Sequence, residues 1–136
     1  MTNDELIRRA AGVLKPRATA DGRLMGDVGS ALVTDAGNVH AGVCIDTGSG
    51  TGFCAEHAAI AAMVTAGEYR VAKIVAVWRD GRDSGLRVLP PCGRCREFIR
   101  QVDPANLETD VVLGKEKSSK LKELLPYHEW PEPLET

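Results

Sequence analysis

Cys54-Ala55-Glu56-His57-Ala58-Ala59-Ile60 and Pro91-Cys92-Gly93-Arg94-Cys95-Arg96 are the two stretches whose reading decides the fold. Each opens a helix. The first helix, 54–66 (CAEHAAIAAMVTA), is apolar almost all round after its first turn, the pattern of a buried helix. Its alanines allow close approach of neighbouring elements, another subunit included. The second, 92–102, follows Pro91 and carries Cys95, Phe98, Ile99 and Val102 at helical spacing. Between them, 71–78 (VAKIVAVW) is an apolar run suited to a central strand.

Working outward, 28–34 and 39–45 read as two strands joined by Asp35-Ala36-Gly37-Asn38, a hairpin signal. Loops follow over 46–52 and 79–87. Residues 2–14 predict an amphipathic helix capped by Thr2 or Asn3, with Leu6, Ile7, Ala10 and Leu14 inward. Residues 15–27 read as loop, 109–113 as a strand and 118–125 as a short helix. The Pro-rich tail, 126–136, contains Tyr127, His128 and Trp130. The order α-β-β-α-β-α-β predicts an α/β fold in three layers, α/β/α, with a mixed central sheet of about five strands. The units 39–78 and 71–113 are expected as right-handed crossovers. Both motifs then stand at the C-terminal ends of strands, where open α/β sheets place their sites.

A length of 136 residues predicts a single domain, 1–136, on the prior of roughly 100–200 residues per domain. With 43% apolar and 26% charged residues, wholesale disorder is excluded. No run approaches the roughly 18 apolar residues of a membrane span, and the first residues, MTNDELIRRA, do not read as a signal peptide. Lys and Arg total 17 against 19 Asp and Glu, for a net charge of −2. The longest basic cluster, Lys115–Lys122, reads as a solvated helix start, so nucleic acid is not an expected partner. Four cysteines without a secretory signal favour metal binding or catalysis over disulfides.

Cys92 and Cys95 stack on one face of a first helical turn, and Cys54 sits at the tip of the neighbouring helix. Three thiolates converging on one point make a soft-ligand set for Zn²⁺. Three protein ligands leave a fourth position for water, the mark of a catalytic rather than a structural zinc. Zn²⁺ with three thiolates carries a net charge of −1, which two helix N-termini offset in part; His57, Arg94 and Arg96 are candidates to add to this. Glu56, two residues from a ligand, is placed to take a proton from water and deliver it to substrate and leaving group. That set suits hydrolytic deamination of a ring carbon bearing an amine.

Cys54-Ala55-Glu56 followed by Pro91-Cys92-Gly93-Arg94-Cys95-Arg96 resembles the cytidine deaminase family, in its subgroup with three Cys ligands. The resemblance spans about Val28 to Trp130. It implies that Cys54, Cys92 and Cys95 bind zinc, that Glu56 is the acid/base, and that the protein is a cytoplasmic homotetramer acting on small-molecule nucleosides. Three positions depart from the pattern. His57 stands where an Arg usually neutralises the thiolates, Cys44-Ile45-Asp46 replaces a ribose-gripping Asn-x-Glu, and Gly26-Asp27 replaces an aromatic residue. The blasticidin S deaminase branch fits better: it too lacks that Arg, has a Gly/Thr-rich loop before Cys-Ala-Glu, and ends in Leu-Leu-Pro and a Trp. Here these are Thr47–Gly52, Leu124-Leu125-Pro126 and Trp130. Asp46, Cys44 and Trp130 are accordingly the candidates for substrate contact, and His57 and Arg96 the residues expected behind the ligands.

The expected function is therefore zinc-dependent deamination of a cytosine-type nucleoside, such as cytidine, deoxycytidine or blasticidin S. Blander readings stand beside it. Cys-x-x-Cys also serves thiol redox modules. A fourth protein ligand, Cys44, would make this a non-catalytic, zinc-stabilised binding protein on a deaminase scaffold. Cys44 also reads as a plain strand cysteine, Asp46 as a turn cap and Trp130 as a pin for the tail.

Overall fold

The computed structural model describes residues 1–79 and 85–135. Much of the loop expected over 79–87, and the last residue of the tail, lie outside the described residues. Helix α1 (Asn3–Gly12) begins at Thr2, whose side chain accepts from the Glu5 amide while the Glu5 carboxylate accepts from the Thr2 amide, a capping box. Two short strands, β1 (Arg17–Ala18) and β2 (Leu24–Met25), pair within the stretch expected as loop. Next come β3 (Val28–Thr34), β4 (Val39–Val43), α2 (Ala55–Thr65) and β5 (Val71–Arg79). The chain continues through β6 (Leu86–Leu89), α3 (Gly93–Val102), a 3-10 turn (Pro104–Glu108), β7 (Asp110–Gly114), β8 (Lys117–Lys120) and α4 (Leu121–Leu124).

The main sheet is mixed and has six strands, in the order β4-β3-β5-β7-β8, with β6 paired to β5. Among the described strands, β5 and β7 pair in parallel and the other pairs are antiparallel. The expected α/β architecture is present. Besides the β1–β2 pair, two details differ from the sequence reading. Residues 117–120 form an edge strand, where a helix over 118–125 was expected; Ser118 and Ser119 lie opposite Val112 and Val111, so the ladder outweighs the weak helical preference of serine. β6, which begins within the stretch expected as loop and was not expected as a strand, pairs Leu89 with Ala76 and Leu86 with Arg79.

Alternation along the strands sends successive side chains to opposite faces. Leu32, Ile74 and Val111 meet Ala59, Ile60 and Met63 of α2 and Ile99 of α3 on one face. Ala31, Val75, Val77 and Val112 meet Leu6, Ile7 and Ala10 of α1 on the other. These are the three layers. Helix α2 lies so close to the sheet that a Cβ on Gly42 would come within 2.5 Å of the Ala58 Cβ. Its burial is one-sided: Ala55, Ala59, Ile60 and Met63 are inward, while Ala61 and Val64 are exposed. A single chain covers only the sheet-facing side of this uniformly apolar helix.

Register decides what stands at the tips of α2 and α3. Val43, the last residue of β4, pairs with Gly29, which pairs with Val77, which pairs with Val88 of β6. Strands β4 and β6 thus end within one residue of the same row, and the helices that follow start side by side. Behind them, Asn106 locks the 3-10 turn to the sheet. Its Oδ1 accepts from the Val71 amide at 2.9 Å, and its Nδ2 donates to the carbonyls of Tyr69 and Ile99 at 3.0 and 3.1 Å. Asn106 is fully buried. Replacing it with alanine leaves those groups without partners, so Asn106→Ala is expected to cost about 2–4 kcal/mol, read as a lower denaturant midpoint.

Candidate active site and metal centre

Cys54 and Cys92 are the N-cap residues of α2 and α3. Both have extended backbone and neither side chain caps its own helix, which leaves the sulfurs free to point elsewhere. The Cys54 and Cys92 sulfurs are 3.6 Å apart, and those of Cys92 and Cys95 are 3.5 Å apart. All three lie within 4.8 Å of one another. A tetrahedral site with zinc–sulfur bonds near 2.3 Å has edges of about 3.8 Å, so the trio fits that ion. The expectation of three converging sulfurs is met.

Electrostatics around the trio is uneven. Burial opposes ionisation of Cys92, yet the amides of Cys95 and Arg94 and the neighbouring thiols hold it below the ordinary cysteine range. Burial pushes Cys54 up, aided by the Cys92 sulfur. Burial pushes Cys95 far above the ordinary range, with the Glu56 carboxylate adding to it. Three sulfurs this close hold either protons or a cation; a divalent ion would favour all three thiolates.

Glu56, in the first turn of α2, is 5% exposed. Burial raises the pKa of its carboxyl, against the lowering effect of its own backbone amide and of the Cys95 thiol. A carboxyl that gains and loses its proton nearer neutral pH suits proton transfer. His57 lies one residue on. Its Nδ1 is 3.4 Å from the Cys95 sulfur, and its ring stacks on Phe98 with centroids 4.2 Å apart and planes 14° from parallel. Phe53 flanks it at 6.4 Å. Burial, and then the Arg94 charge, lower the His57 pKa, favouring a neutral ring. With its proton on Nδ1, that ring donates to the sulfur.

The arginines hold the frame. Arg96 donates through Nε to the Pro91 carbonyl at 2.9 Å and through Nη1 to the Leu124 carbonyl at 3.1 Å, tying the Pro91-Cys92 corner to α4. Arg94 donates to the Gly52 carbonyl at 3.4 Å. Ile45 and Phe53 bridge the base of the loop over 46–52, and a Cβ on Gly52 would come within 2.4 Å of the Ile45 carbonyl oxygen.

A cavity of about 720 Å³ opens beside the trio, within the usual size range of small-molecule sites. Cys54, Glu56 and Cys92 line it, as do Cys44, Asp46, Phe53 and Arg94. The thiol of Cys44 donates to Asp27 Oδ1 at 3.2 Å, and Cys44 is not part of the sulfur trio. Asp46 is exposed on the cavity wall. Trp130 is 91% exposed and is not among the lining residues. The sequence marks Gly26-Asp27 only as a departure from the family's aromatic residue; the bond of Asp27 to Cys44 on the cavity wall and the stack of Phe98 on His57 emerge from the structure. Phe98 carried only the signal of a core face, and Asp27 sits in a stretch with no periodicity. No helix among the described residues is long and apolar enough to cross a membrane.

Residues 1–109 match the family model described as the cytidine and deoxycytidylate deaminase zinc-binding region. The chain is 35% identical over 103 residues to a blasticidin-S deaminase from Bacillus cereus, covering 73% of this chain and 74% of that protein. It superposes on the cytidine deaminase from Mycobacterium tuberculosis with a TM-score of 0.71 at 29% identity, covering 91% of this chain and 94% of that one. For the cytidine deaminase from Burkholderia pseudomallei the TM-score is 0.73 at 27% identity, covering 93% and 98%. The sulfur trio, the buried carboxyl beside it and these likenesses agree: the chain belongs to the cytidine and deoxycytidylate deaminase family of hydrolases.

Proposed function

We propose that the protein is a zinc-dependent deaminase of cytosine-type nucleosides or their analogues, blasticidin S included, releasing ammonia and leaving the uracil form. One observation carries this reading: a buried carboxyl, Glu56, beside three convergent sulfurs at a cavity of nucleoside size. Cys54, Cys92 and Cys95 would hold Zn²⁺, which supplies activation of the attacking water. Glu56 takes the proton from that water and gives it to the ring nitrogen next to the reacting carbon. It then takes the remaining proton from the added hydroxyl, which becomes the carbonyl of the uracil form, and passes it to the departing amine. The water oxygen bonds to the ring carbon, the exocyclic carbon–nitrogen bond breaks, and ammonia leaves.

His57 and the framework residues position rather than react. A neutral His57 donating to Cys95 withdraws part of that sulfur's charge, the task the family usually gives to an arginine. Arg96 fixes the Pro91-Cys92 corner. Asp46 and Cys44 meet the part of the substrate beyond the ring. Trp130, exposed in the single chain, reaches a neighbouring subunit in an oligomer, and the outward Ala61 and Val64 of α2 suit burial against another copy. The same reading makes the protein a cytoplasmic tetramer; its four cysteines are free, as metal ligation requires.

Glu56→Gln tests the central role. The variant is expected to bind zinc stoichiometrically by elemental analysis while ammonia release from the best of cytidine, deoxycytidine and blasticidin S falls about 10²–10⁴-fold. Full activity would end the proposal. The same substitution carries a pH signature. Because the folded state raises the Glu56 pKa, burying the ionised group opposes folding once pH exceeds its unfolded value. Chelator-treated Glu56→Gln is therefore expected to melt above chelator-treated wild type at pH 8. The gap should narrow as pH falls and the wild-type carboxyl regains its proton.

A further inference from the structure

We infer that Asp27 sets the substrate class: its carboxylate on the cavity wall selects aminopyrimidine compounds that carry a positively charged group beyond the ring over neutral nucleosides. The inference rests on the deaminase reading, which puts the reacting amine at Glu56. Asp27 lines the same cavity and is bonded to Cys44, which in that reading meets the part of the substrate beyond the ring. Asp27 directly precedes β3, and backbone bonds on both sides fix it: the Gly26 amide donates to the Cys44 carbonyl at 3.2 Å, and the Cys44 amide to the Val28 carbonyl at 3.0 Å.

Among the described residues, the charge around Asp27 is under-compensated. The bond to its side chain comes from the Cys44 thiol, a weak donor. Burial, and the Asp27 charge with it, keep Cys44 in the neutral thiol form. Asp46 lines the same cavity and adds a second carboxylate. Among the described lining residues the one cationic side chain is Arg94, whose Nη1 is engaged by the Gly52 carbonyl. Arg23, near the loop over 46–52, is paired with Asp21 at 3.0 Å. Sugar hydroxyls would bond to these carboxylates and leave their charge in place. An ammonium or guanidinium group would bond to them and neutralise it, and charge-assisted bonds of that kind are the stronger ones.

Calorimetric titration with uridine and with 5′-amino-5′-deoxyuridine tests this without turnover, because the uracil ring of each carries a carbonyl where the reacting amine would stand. The zinc-loaded wild type is expected to bind the cationic ligand about tenfold tighter at low salt, with the preference shrinking near about 0.5 M salt. Asp27→Asn should abolish most of the preference, and Asp27→Glu should retain it. Equal affinities in wild type would overturn the inference. So would Asp27→Asn weakening both ligands alike, which would make Asp27 a structural or hydroxyl-binding residue. Ammonia release from cytidine and 5′-amino-5′-deoxycytidine, measured on the same preparation, separates the two levels. Turnover of both with no charge preference overturns this inference alone. Absence of turnover and of binding for every compound overturns the deaminase reading and this inference with it.

Discussion

Two helix N-termini held side by side, each with a cysteine at its N-cap position, are the constraint on which the rest of this structure depends. The row that runs from Val43 through Gly29 and Val77 to Val88 ends β4 and β6 at the same level, and the Ile45–Phe53 bridge returns the chain from the intervening loop, so α2 and α3 start side by side. The partial positive charge of each helix end then falls on the sulfurs of Cys54 and Cys92. Cys95, one turn further into α3, is fully buried and completes the trio. A one-residue slip in β6 would turn its side chains to the opposite face and move the Pro91-Cys92 corner away from Cys54.

Burial at this centre works against stability. Glu56 and Cys95 sit where their ionised forms are disfavoured, and Glu56 raises Cys95 further. Such a cluster suits a cation and a reacting proton better than it suits a resting core. The surroundings compensate with rigidity. Arg96 ties the Pro91 corner to α4, Phe98 and Phe53 hold the His57 ring, and the buried Asn106 anchors the turn after α3. The close packing of Gly42 on Ala58 keeps α2 flat against the sheet.

The helices and central strands were legible because their periodicity is strong: α1, α2, β3, β5, α3 and β7 stand where apolar spacing puts them. The trio and Glu56 were legible because ligand spacing and helix starts coincide in the sequence. β8 was not, since Lys117–Lys120 (KSSK) has no apolar alternation and is a strand only through its pairing with β7. β6 was masked by the charged stretch before it. The Asp27–Cys44 bond and the His57–Phe98 stack arise from tertiary proximity, which no local pattern encodes. The outward side of α2 is a further case: apolar sequence implied full burial, and a single chain supplies a neighbour on one side only.

Catalysis at this centre turns on what the trio of sulfurs holds and what completes the coordination. X-ray absorption spectroscopy of the zinc-loaded protein tests this most directly. Three sulfur neighbours and one oxygen around each zinc are predicted, with the oxygen retained in a Cys44→Ser variant. Four sulfur neighbours in the wild type, or a protein that takes up no zinc with its thiols reduced, would contradict it.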